Sequence, residues 1–417
     1  MLHVSPLNLS SARDNSDYDA FLKPLITKPP LTSCEVCVIV PVRNEAEALS
    51  ATLLALINQV DLQGRPLAKD RYEIIVLANN CSDNSAEIAR NFARSHSIIL
   101  HTIEMTIDRN RAHIGWVRKL LMDEAYRRLK SIGRSLGIIA STDGDTRVAP
   151  TWIAATLAEI ENGADAVGGR IVTDCQERNK LDRNTRLYYL RYLRYGYLSA
   201  QLESCLDPNY EPFPRHHHHY GASLAVTAQM YAKVGGLPPL PSSEDVALYN
   251  ALKRVDARFC HSPMVRVITS ARVVGRAKAG LSERLSSLNV TATHRQTVLV
   301  EPAELIKERF VLRYWLRYFW RNMQQGIYST RLSILADRLE LSVDLLEETI
   351  VRSPTFGLLV EQIEQHYNYK LERKWHKVPI QKAIADLNTM IRQARCSELR
   401  LDSLEQIEPI LLPTQPL

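Results

Sequence analysis

The chain of 417 residues is long enough for two domains, or for one large domain with an appended region, and its 45% hydrophobic content supports a sizeable core. The net charge of +6, from 52 basic and 46 acidic residues, is mild and comes with no nucleic-acid recognition motif, so we do not expect nucleic-acid binding. The seven cysteines are odd in number and scattered, which argues against a zinc site or a disulfide framework and favours a reducing cytoplasm.

We predict that residues 1–33 form an N-terminal extension. This segment is polar and proline-containing, without the charged start and apolar core of a signal peptide. No uninterrupted apolar run in the chain reaches the ~18 residues of a membrane-spanning helix. We therefore expect neither export by this route nor a transmembrane segment.

Short apolar runs rich in β-branched residues predict buried parallel strands. They span residues 36–41, 72–77 and 97–101, and helical patterns follow the first two. A long helix then extends to about residue 129. Strands that alternate with helices predict an α/β fold with a doubly wound, mostly parallel sheet and helices on both faces.

A fourth apolar run, residues 137–142, leads into Asp143, Gly144 and Asp145. Ligand sites of open α/β sheets lie at the carboxyl ends of strands. Two carboxylates this close repel each other unless a proton or a cation is shared. Mg²⁺ or Mn²⁺ takes oxygen ligands and bridges carboxylates to a diphosphate. The alternative is a plain turn, because Asp-Gly is a common turn dipeptide.

Five short polar or glycine-containing segments stand out in order between residues 36 and 280. They are Pro41 to Glu45, Ala78 to Asp83, the Asp143-Gly144-Asp145 triplet, the Gly-Gly segment 234–237 and the Glu-Asp segment 243–248. With these segments in this order, the chain resembles the family-2 glycosyltransferases of the GT-A type.

The resemblance implies the following donor-side roles. The residues that would bind the nucleotide are Pro41, Arg43, Glu45, Asn79, Arg118 and Asp143. Asp145, with Asp143, would bind Mg²⁺ or Mn²⁺, and Arg272 and Arg276 would belong to a loop that closes over the diphosphate. Two alternatives stay open. Glu45 also suits the dipole of a first helical turn, and Arg118 also suits a solvated helix face.

On the acceptor side, the resemblance makes Asp245 the general base, with Glu244 as second candidate. A single in-line displacement implies inversion of configuration. Four consecutive histidines, 216–219, precede this segment, and we expect His217 and His219 near the acceptor. The alternative for the histidines is a solvated loop.

From residue 301 onward the pattern is helical. We predict a GT-A domain over 34–300, with a nucleotide-binding half to 147 and an acceptor half from 148, and a C-terminal helical appendage over 301–417. The appendage is a candidate surface for a homo-oligomer or for peripheral membrane contact.

The predicted function is an inverting, metal-dependent hexosyl transfer from a nucleoside diphosphate sugar to a soluble or peripherally held acceptor. The alternatives are a nucleotidyltransferase acting on a sugar phosphate, and a non-catalytic protein that binds sugar nucleotides or serves as a scaffold. Sequence does not identify the sugar, the base or the acceptor.

Overall fold

The computed structural model describes residues 24–396, apart from 209, 210, 212, 276–279, 328 and 330, and apart from the side chains of 366, 368–372 and 396. Most of the predicted N-terminal extension therefore lies outside the described residues. The predicted division of the chain into domains stays a prediction.

One eight-stranded sheet organises the described part of the chain. Its strands are β1 Val36–Val42, β2 Tyr72–Asn79, β3 Leu100–Met105, β4 Ile138–Ser141, β5 Thr146–Val148, β6 Ala166–Thr173, β7 Leu224–Thr227 and β8 Phe259–Thr269. The order is β3-β2-β1-β4-β7-β6-β8-β5. The four strands from β3 to β4 are parallel, as is the pair β6 and β8, whereas β7 and β5 run antiparallel to their neighbours. The predicted mostly parallel sheet is confirmed.

Helices cover both faces of this sheet. On one face lie α1 Ala46–Ile57, α2 Ser85–Ser95 and α4 Trp152–Glu161, and on the other lie α3 Ile114–Ser131, α7 Ala228–Lys233 and α8 Glu244–Arg254. Successive side chains of a strand point to opposite faces. Accordingly Val38 and Val40 of β1 pack with α1 and α4, while Cys37 and Ile39 pack with α3 and α8. This explains why β1 is apolar at every position.

The third predicted strand, residues 97–101, is placed too early. The structure has β3 at Leu100–Met105, paired from Ile74↔Leu100 to Asn79↔Met105. β3 is an edge strand whose limits are set by pairing with β2. The apolar run at 98–100 shows which residues pack against the core, but it does not show which residues pair with β2. A prediction from hydrophobicity alone therefore placed the strand about three residues too early.

The remaining elements complete the chain. They are α5 Cys175–Lys180, α6 Arg183–Leu206, α9 Leu281–Thr293, β9 Leu299–Val300, α10 Ala303–Gln324, α11 Leu332–Leu339, α12 Val343–Arg352, α13 Phe356–Lys374, β10 Val378–Pro379 and α14 Ile380–Cys396. The helical pattern over 332–350 is two helices, because Glu340 adopts a left-handed backbone conformation that ends α11. The predicted C-terminal helical region is confirmed, with one addition, a short antiparallel pair of β9 and β10.

A second hydrophobic core forms between α6 and the C-terminal helices. Leu198, Leu202 and Leu206 of α6 pack with Trp315 and Phe319 of α10 and with residues of α11 to α14. Helix α6 therefore belongs to the interface with the C-terminal helices. Among the helices described, none combines the length and apolarity needed to cross a membrane.

The C-terminal helices also hold the end of α8. The Asp256 carboxylate accepts hydrogen bonds from the backbone N–H groups of Phe356 and Gly357, each at 2.7 Å, at the start of α13. Arg254 forms a bidentate ion pair with Glu361. Gly357 lies so close to the carbonyl of Lys253 that a Cβ atom there would overlap it. The C-terminal end of α8 is thus fixed against α13.

We expect Asp256→Asn to lower the free energy of unfolding by about 1 kcal/mol. Asparagine tolerates the left-handed backbone of this residue but removes the charge and one of the two acceptor oxygens. Urea unfolding followed by circular dichroism measures the loss. Asp386→Asn, at an exposed pair with Lys382, is the control and should change stability by less than about 0.5 kcal/mol. Equal values for the two variants would contradict the capping role.

Candidate active site

Arg118, on the first turns of α3, is buried and lies between two acidic segments of the chain. Its guanidinium donates to Asp143 Oδ1 at 3.0 Å, to Glu244 Oε1 at 2.9 Å and to the carbonyl of Gly221 at 3.1 Å, and it also donates to the Ser141 hydroxyl. Asp143 and Glu244 are far apart in sequence. Arg118 therefore joins the Asp-Gly-Asp segment to the Glu-Asp segment.

Burial and charge act on Arg118 in opposite directions. Burial alone lowers the pKa of its guanidinium, but Asp143, Glu244 and Asp245 raise it, so the net shift is upward. Burial raises the pKa of the Glu244 carboxyl, and Arg118 opposes that shift. A buried pair of this kind is costly to break, about 3–5 kcal/mol when one partner is removed. Glu244 is thus held as the counter-ion of Arg118.

Asp245 makes different contacts from Glu244. Its Oδ2 accepts from the backbone N–H of Gly221 at 2.8 Å, and its Oδ1 accepts from the N–H of Val246 at 2.8 Å. The residue is partly exposed at the start of α8, whereas Glu244 is buried. The two neighbouring carboxylates therefore divide into one paired with an arginine and one that is partly exposed and held by backbone N–H groups.

A second arginine, Arg272, follows β8. It donates to both carboxylate oxygens of Glu45, at 2.9 and 2.7 Å, and lies 3.0 Å from Asp145 Oδ2. Burial raises the pKa of the Asp145 carboxyl to about 6, Arg272 opposes this shift, and Asp143 and Glu45 add to it. Arg272, predicted for the diphosphate loop, therefore contacts both Asp145, a predicted metal ligand, and Glu45, a predicted nucleotide-binding residue.

Negative charge is in excess at this site. The groups are two guanidiniums, Arg118 and Arg272, and five carboxylates, Glu45, Asp143, Asp145, Glu244 and Asp245. Such an excess in a partly buried cleft, with oxygen donors, fits a hard divalent cation. Asp143 pairs with Arg118, and Asp145 pairs with Arg272.

Within the described residues, three metal-ligating atoms come within 4.8 Å of one another at Cys34, Cys37 and Glu73. This cluster does not fit a metal. The Glu73 carboxylate is already paired bidentately with Arg128, at 2.6 Å for both contacts. Burial raises the pKa of the Cys37 thiol, which keeps it protonated and a poor ligand. The role of this cluster is therefore structural, because the charge of Glu73 is neutralised beneath β1 and β2.

The other predicted donor-side residues lie around this cleft. Pro41, one residue before the end of β1, lies beside Gly144, where an added Cβ would come 3.4 Å from the Pro41 carbonyl oxygen. Asn79 is buried at the end of β2. Arg43 is exposed and donates to the carbonyl of Ala112 at 3.1 Å. Arg276 lies outside the described residues.

Each of the four histidines contacts a different part of the fold. His216 is buried, with Nε2 3.0 Å from the carbonyl of Ser262, and its Nδ1 accepts from the N–H of His218. His218 Nδ1 accepts from the N–H of Ile171. The ring of His217 lies against Gly196 of α6. His219 stacks on Tyr249 of α8, with ring centroids 4.0 Å apart. The segment is therefore built into the fold, and the acceptor roles of His217 and His219 stay predictions.

Two residues of the site were not singled out from the sequence. Ser141 and Gly221 contact Arg118 directly, and a Cβ on Gly221 would lie 2.4 Å from Arg118 Cζ. Ser141 could have been found, because it stands two residues before Asp143 at the end of a strand. Gly221 gave no signal, because its role is to leave room for a side chain from another helix.

The mostly parallel sheet, with its Asp-Gly-Asp segment at the end of β4, is the arrangement that the motifs predicted. Residues 37–210 match the family described as Glycosyl transferase family 2. Glycosyltransferase AglE of Haloferax volcanii is 28% identical over 137 residues, which are 33% of this chain and 39% of the relative. The chain thus spans about two-fifths of that relative's length. The family resemblance predicted from the motifs is confirmed.

Two solved structures align with most of this chain. The first is the mannosyltransferase PcManGT of Pyrobaculum calidifontis in complex with GDP-Man and Mn²⁺, with 15% identity, a TM-score of 0.40, and coverage of 92% of this chain and 93% of that one. The second is residues 1–349 of S. aureus TarS in complex with UDP-GlcNAc, with 13% identity, a TM-score of 0.42, and coverage of 87% of both chains. Similarity of this size identifies neither a donor nor an acceptor for this chain.

We expect Gly221→Ala to displace the Arg118 guanidinium and to lower the free energy of unfolding by about 2 kcal/mol, because overpacking a buried site costs about 1–3 kcal/mol. Thermal or urea unfolding measures the effect. Gly280→Ala is the matched control, because an added Cβ there meets nothing within 4 Å. A Gly221→Ala protein as stable as the control would refute the close approach.

We expect acid to destabilise the fold through His216. Burial lowers the pKa of His216 to about 3, below the unfolded value of about 6.5, so the unfolded state binds more protons as the pH falls. Between pH 7 and pH 5 this group alone should remove about 2 kcal/mol of stability. His216→Gln should lose correspondingly less over the same range, whereas exposed His294→Gln should behave like the wild type. The readout is urea unfolding at both pH values, and equal losses in all three proteins would exclude this linkage.

Proposed function

We propose that this protein is an inverting, divalent-metal-dependent glycosyltransferase that moves a sugar from a nucleoside diphosphate sugar to a hydroxyl of a soluble or peripherally held acceptor. One observation carries the proposal. Arg118 pairs with both Asp143 and Glu244 and so brings the donor-side and acceptor-side motifs of the family into one cleft. The family match and the relative named as a glycosyltransferase support the same reaction type.

Asp245 is the general base of the proposed reaction. Its carboxylate is oriented by the N–H groups of Gly221 and Val246, and the residue is partly exposed. It takes the proton of the acceptor hydroxyl while that oxygen bonds to the anomeric carbon and the bond to the diphosphate oxygen breaks. The sugar is transferred to the acceptor with inverted configuration at its anomeric carbon, and the nucleoside diphosphate is released. Glu244 holds Arg118 in place.

The donor side supplies the charges for the diphosphate. Asp145 and Asp143 are the residues that would bind Mg²⁺ or Mn²⁺, which supplies charge neutralisation of the leaving diphosphate when bound. Arg272 neutralises Glu45 and Asp145. It is placed to donate to diphosphate oxygens once those carboxylates have another counter-ion. Glu45 and Asn79 would orient the ribose and the base.

The first test is a thermal-shift screen of the pure protein against UDP-, GDP-, CDP- and dTDP-sugars and nucleoside triphosphates, each with Mn²⁺ and with EDTA. A ligand that binds only the folded state raises the melting temperature. A metal-dependent shift with one diphosphate sugar is expected. Shifts confined to triphosphates, with pyrophosphate released, would favour a nucleotidyltransferase instead. Donor binding without turnover on any acceptor would favour a non-catalytic binding protein.

We expect Asp245→Asn to keep the donor-induced thermal shift and to lower kcat by about a hundredfold or more, because the amide cannot accept the proton. The single-turnover rate with saturating donor measures this loss. Asp386→Asn, remote from the cleft, should match the wild type. Near-normal turnover of Asp245→Asn would remove Asp245 as the base.

We expect Asp145→Ala to abolish the difference between Mn²⁺ and EDTA in donor binding while the protein stays folded. Removal of one of two carboxylate ligands should weaken metal binding by about ten- to a hundredfold or more. Isothermal titration with the identified donor, in Mn²⁺ and in EDTA, gives the readout. An unchanged metal-dependent affinity would show that Asp145 does not bind the metal.

A further inference from the structure

Helix α6 has an outer stripe that its packing leaves uncovered. Its other sides pack against α9, α10 and α14. Residues spaced by four and three positions lie along one line of a helix. The stripe defined by this spacing consists of Arg183, Leu187, Leu190, Arg194 and Tyr197. All five are exposed, and the exposed fraction is 42% for Leu187, 44% for Leu190 and 44% for Tyr197. We call these five residues the α6 stripe.

The other tyrosines of α6 are accounted for by the fold. Tyr188 donates to the carbonyl of Gln296, and Tyr195 donates to the carbonyl of Glu301. Tyr189 is buried against α9, and Tyr192 lies under the guanidinium of Arg284 at 4.3 Å. Structure therefore explains the inward aromatic residues. Tyr197 also contacts Phe213, with ring centroids 5.8 Å apart. Structure does not explain why Leu187 and Leu190 face outward along the α6 stripe.

Two of the five stripe residues are arginines, and the helix around the stripe is basic. Between residues 183 and 202 the helix carries four arginines, at 183, 186, 191 and 194, and no acidic residue. Within the described part of the chain, Arg183, Arg191 and Arg194 pair with no carboxylate. Beyond Tyr197 the same side of the helix reaches Gln201, where a hollow of about 390 Å³ is lined also by Arg392 and Arg395 of α14. The positive charge thus continues past the end of the stripe.

We propose that the α6 stripe docks on an anionic membrane surface. Arginine stems can lie along the apolar boundary while their guanidiniums reach lipid phosphates, and leucine and tyrosine between them enter the interfacial layer. The stripe is about 21 Å long, at 1.5 Å per residue, so it can lie flat on the surface. Leucines flanked by arginines suit a lipid surface, because the arginines can contact the phosphate headgroups while the leucines contact the hydrocarbon beneath them. A protein partner would need a matching apolar ridge edged with acids, and a second copy would set arginine against arginine.

Docking in this way would place the cleft near the membrane. The inward side of the same helix contacts His217 through Gly196, and His217 belongs to the segment that leads to Gly221 and Asp245. An acceptor held at the lipid surface would then approach from the side of the proposed base. The docking itself does not depend on the proposed activity.

Co-sedimentation of the full chain with vesicles tests the proposal. The vesicles are phosphatidylcholine alone and phosphatidylcholine mixed with phosphatidylglycerol. Binding only to the mixed vesicles, weakened by added salt, is expected. The double variant Arg183→Gln with Arg194→Gln should bind roughly thirtyfold more weakly, at about 1 kcal/mol per basic residue. Leu187→Gln with Leu190→Gln should bind at least about tenfold more weakly.

Matched controls remove equal charge and equal apolar surface elsewhere. They are Arg65→Gln with Arg352→Gln, and Leu62→Gln with Leu136→Gln, all exposed positions. Both control pairs should bind like the wild type, and thermal unfolding confirms that each variant is folded. Tyr197→Trp gives a second readout: the emission of the variant minus that of the wild type, which removes the signal of the five native tryptophans, should shift to the blue on mixed vesicles alone.

Three outcomes overturn the proposal. The first is an absence of binding to mixed vesicles together with an unshifted emission of the Tyr197→Trp variant. The second is binding that both stripe variants retain in full. The third is a dimer, seen by analytical ultracentrifugation, that the leucine variant dissociates while vesicle binding is unchanged, which would make the stripe an interface between copies.

Discussion

The buried guanidinium of Arg118 is the interaction on which the site depends. It reaches from α3 to the end of β4, to the loop before β7 and to the start of α8, and at each place it meets an oxygen. A planar group with five fixed donors can satisfy such a set, whereas a lysine ammonium could not. Because Gly221 has no side chain, the guanidinium fits against the backbone that also orients Asp245. One cation therefore fixes the relative positions of the two acidic motifs.

The excess of carboxylates around the two arginines has an electrostatic consequence. Asp145 sits in a buried environment, near Asp143 and Glu45, where its ionised form is disfavoured, and Arg272 only partly offsets this. Such a cluster is stabilised by additional positive charge near its oxygens. In the proposed reaction, a metal ion bound with the donor would supply this charge, and donor binding would then be coupled to the position of Arg272 through the same few oxygens.

Much of this architecture could be predicted from the sequence, because its signals are local. The continuous apolar run of β1 predicts a strand buried on both faces, and Asp143 and Asp145 stand directly after the run that forms β4. Edge strand β3 was misplaced because its limits depend on pairing. The contact of Arg118 with Glu244 spans 126 positions, so no local pattern could reveal it. The histidine run was also ambiguous, since only packing shows that His216 faces Ser262 and His219 faces Tyr249.

Helix α8 carries the Glu-Asp pair at its first turn and is held by α13 at its last. Helix α6 likewise shares its apolar side with the C-terminal helices. A shortened chain that stopped at residue 300 would uncover Leu198, Leu202 and Leu206 and would release the far end of the helix that presents Asp245. It would also separate β9 from its only partner strand in the described chain, β10. For anyone who wishes to express a minimal catalytic fragment, the helical region is part of what must be kept.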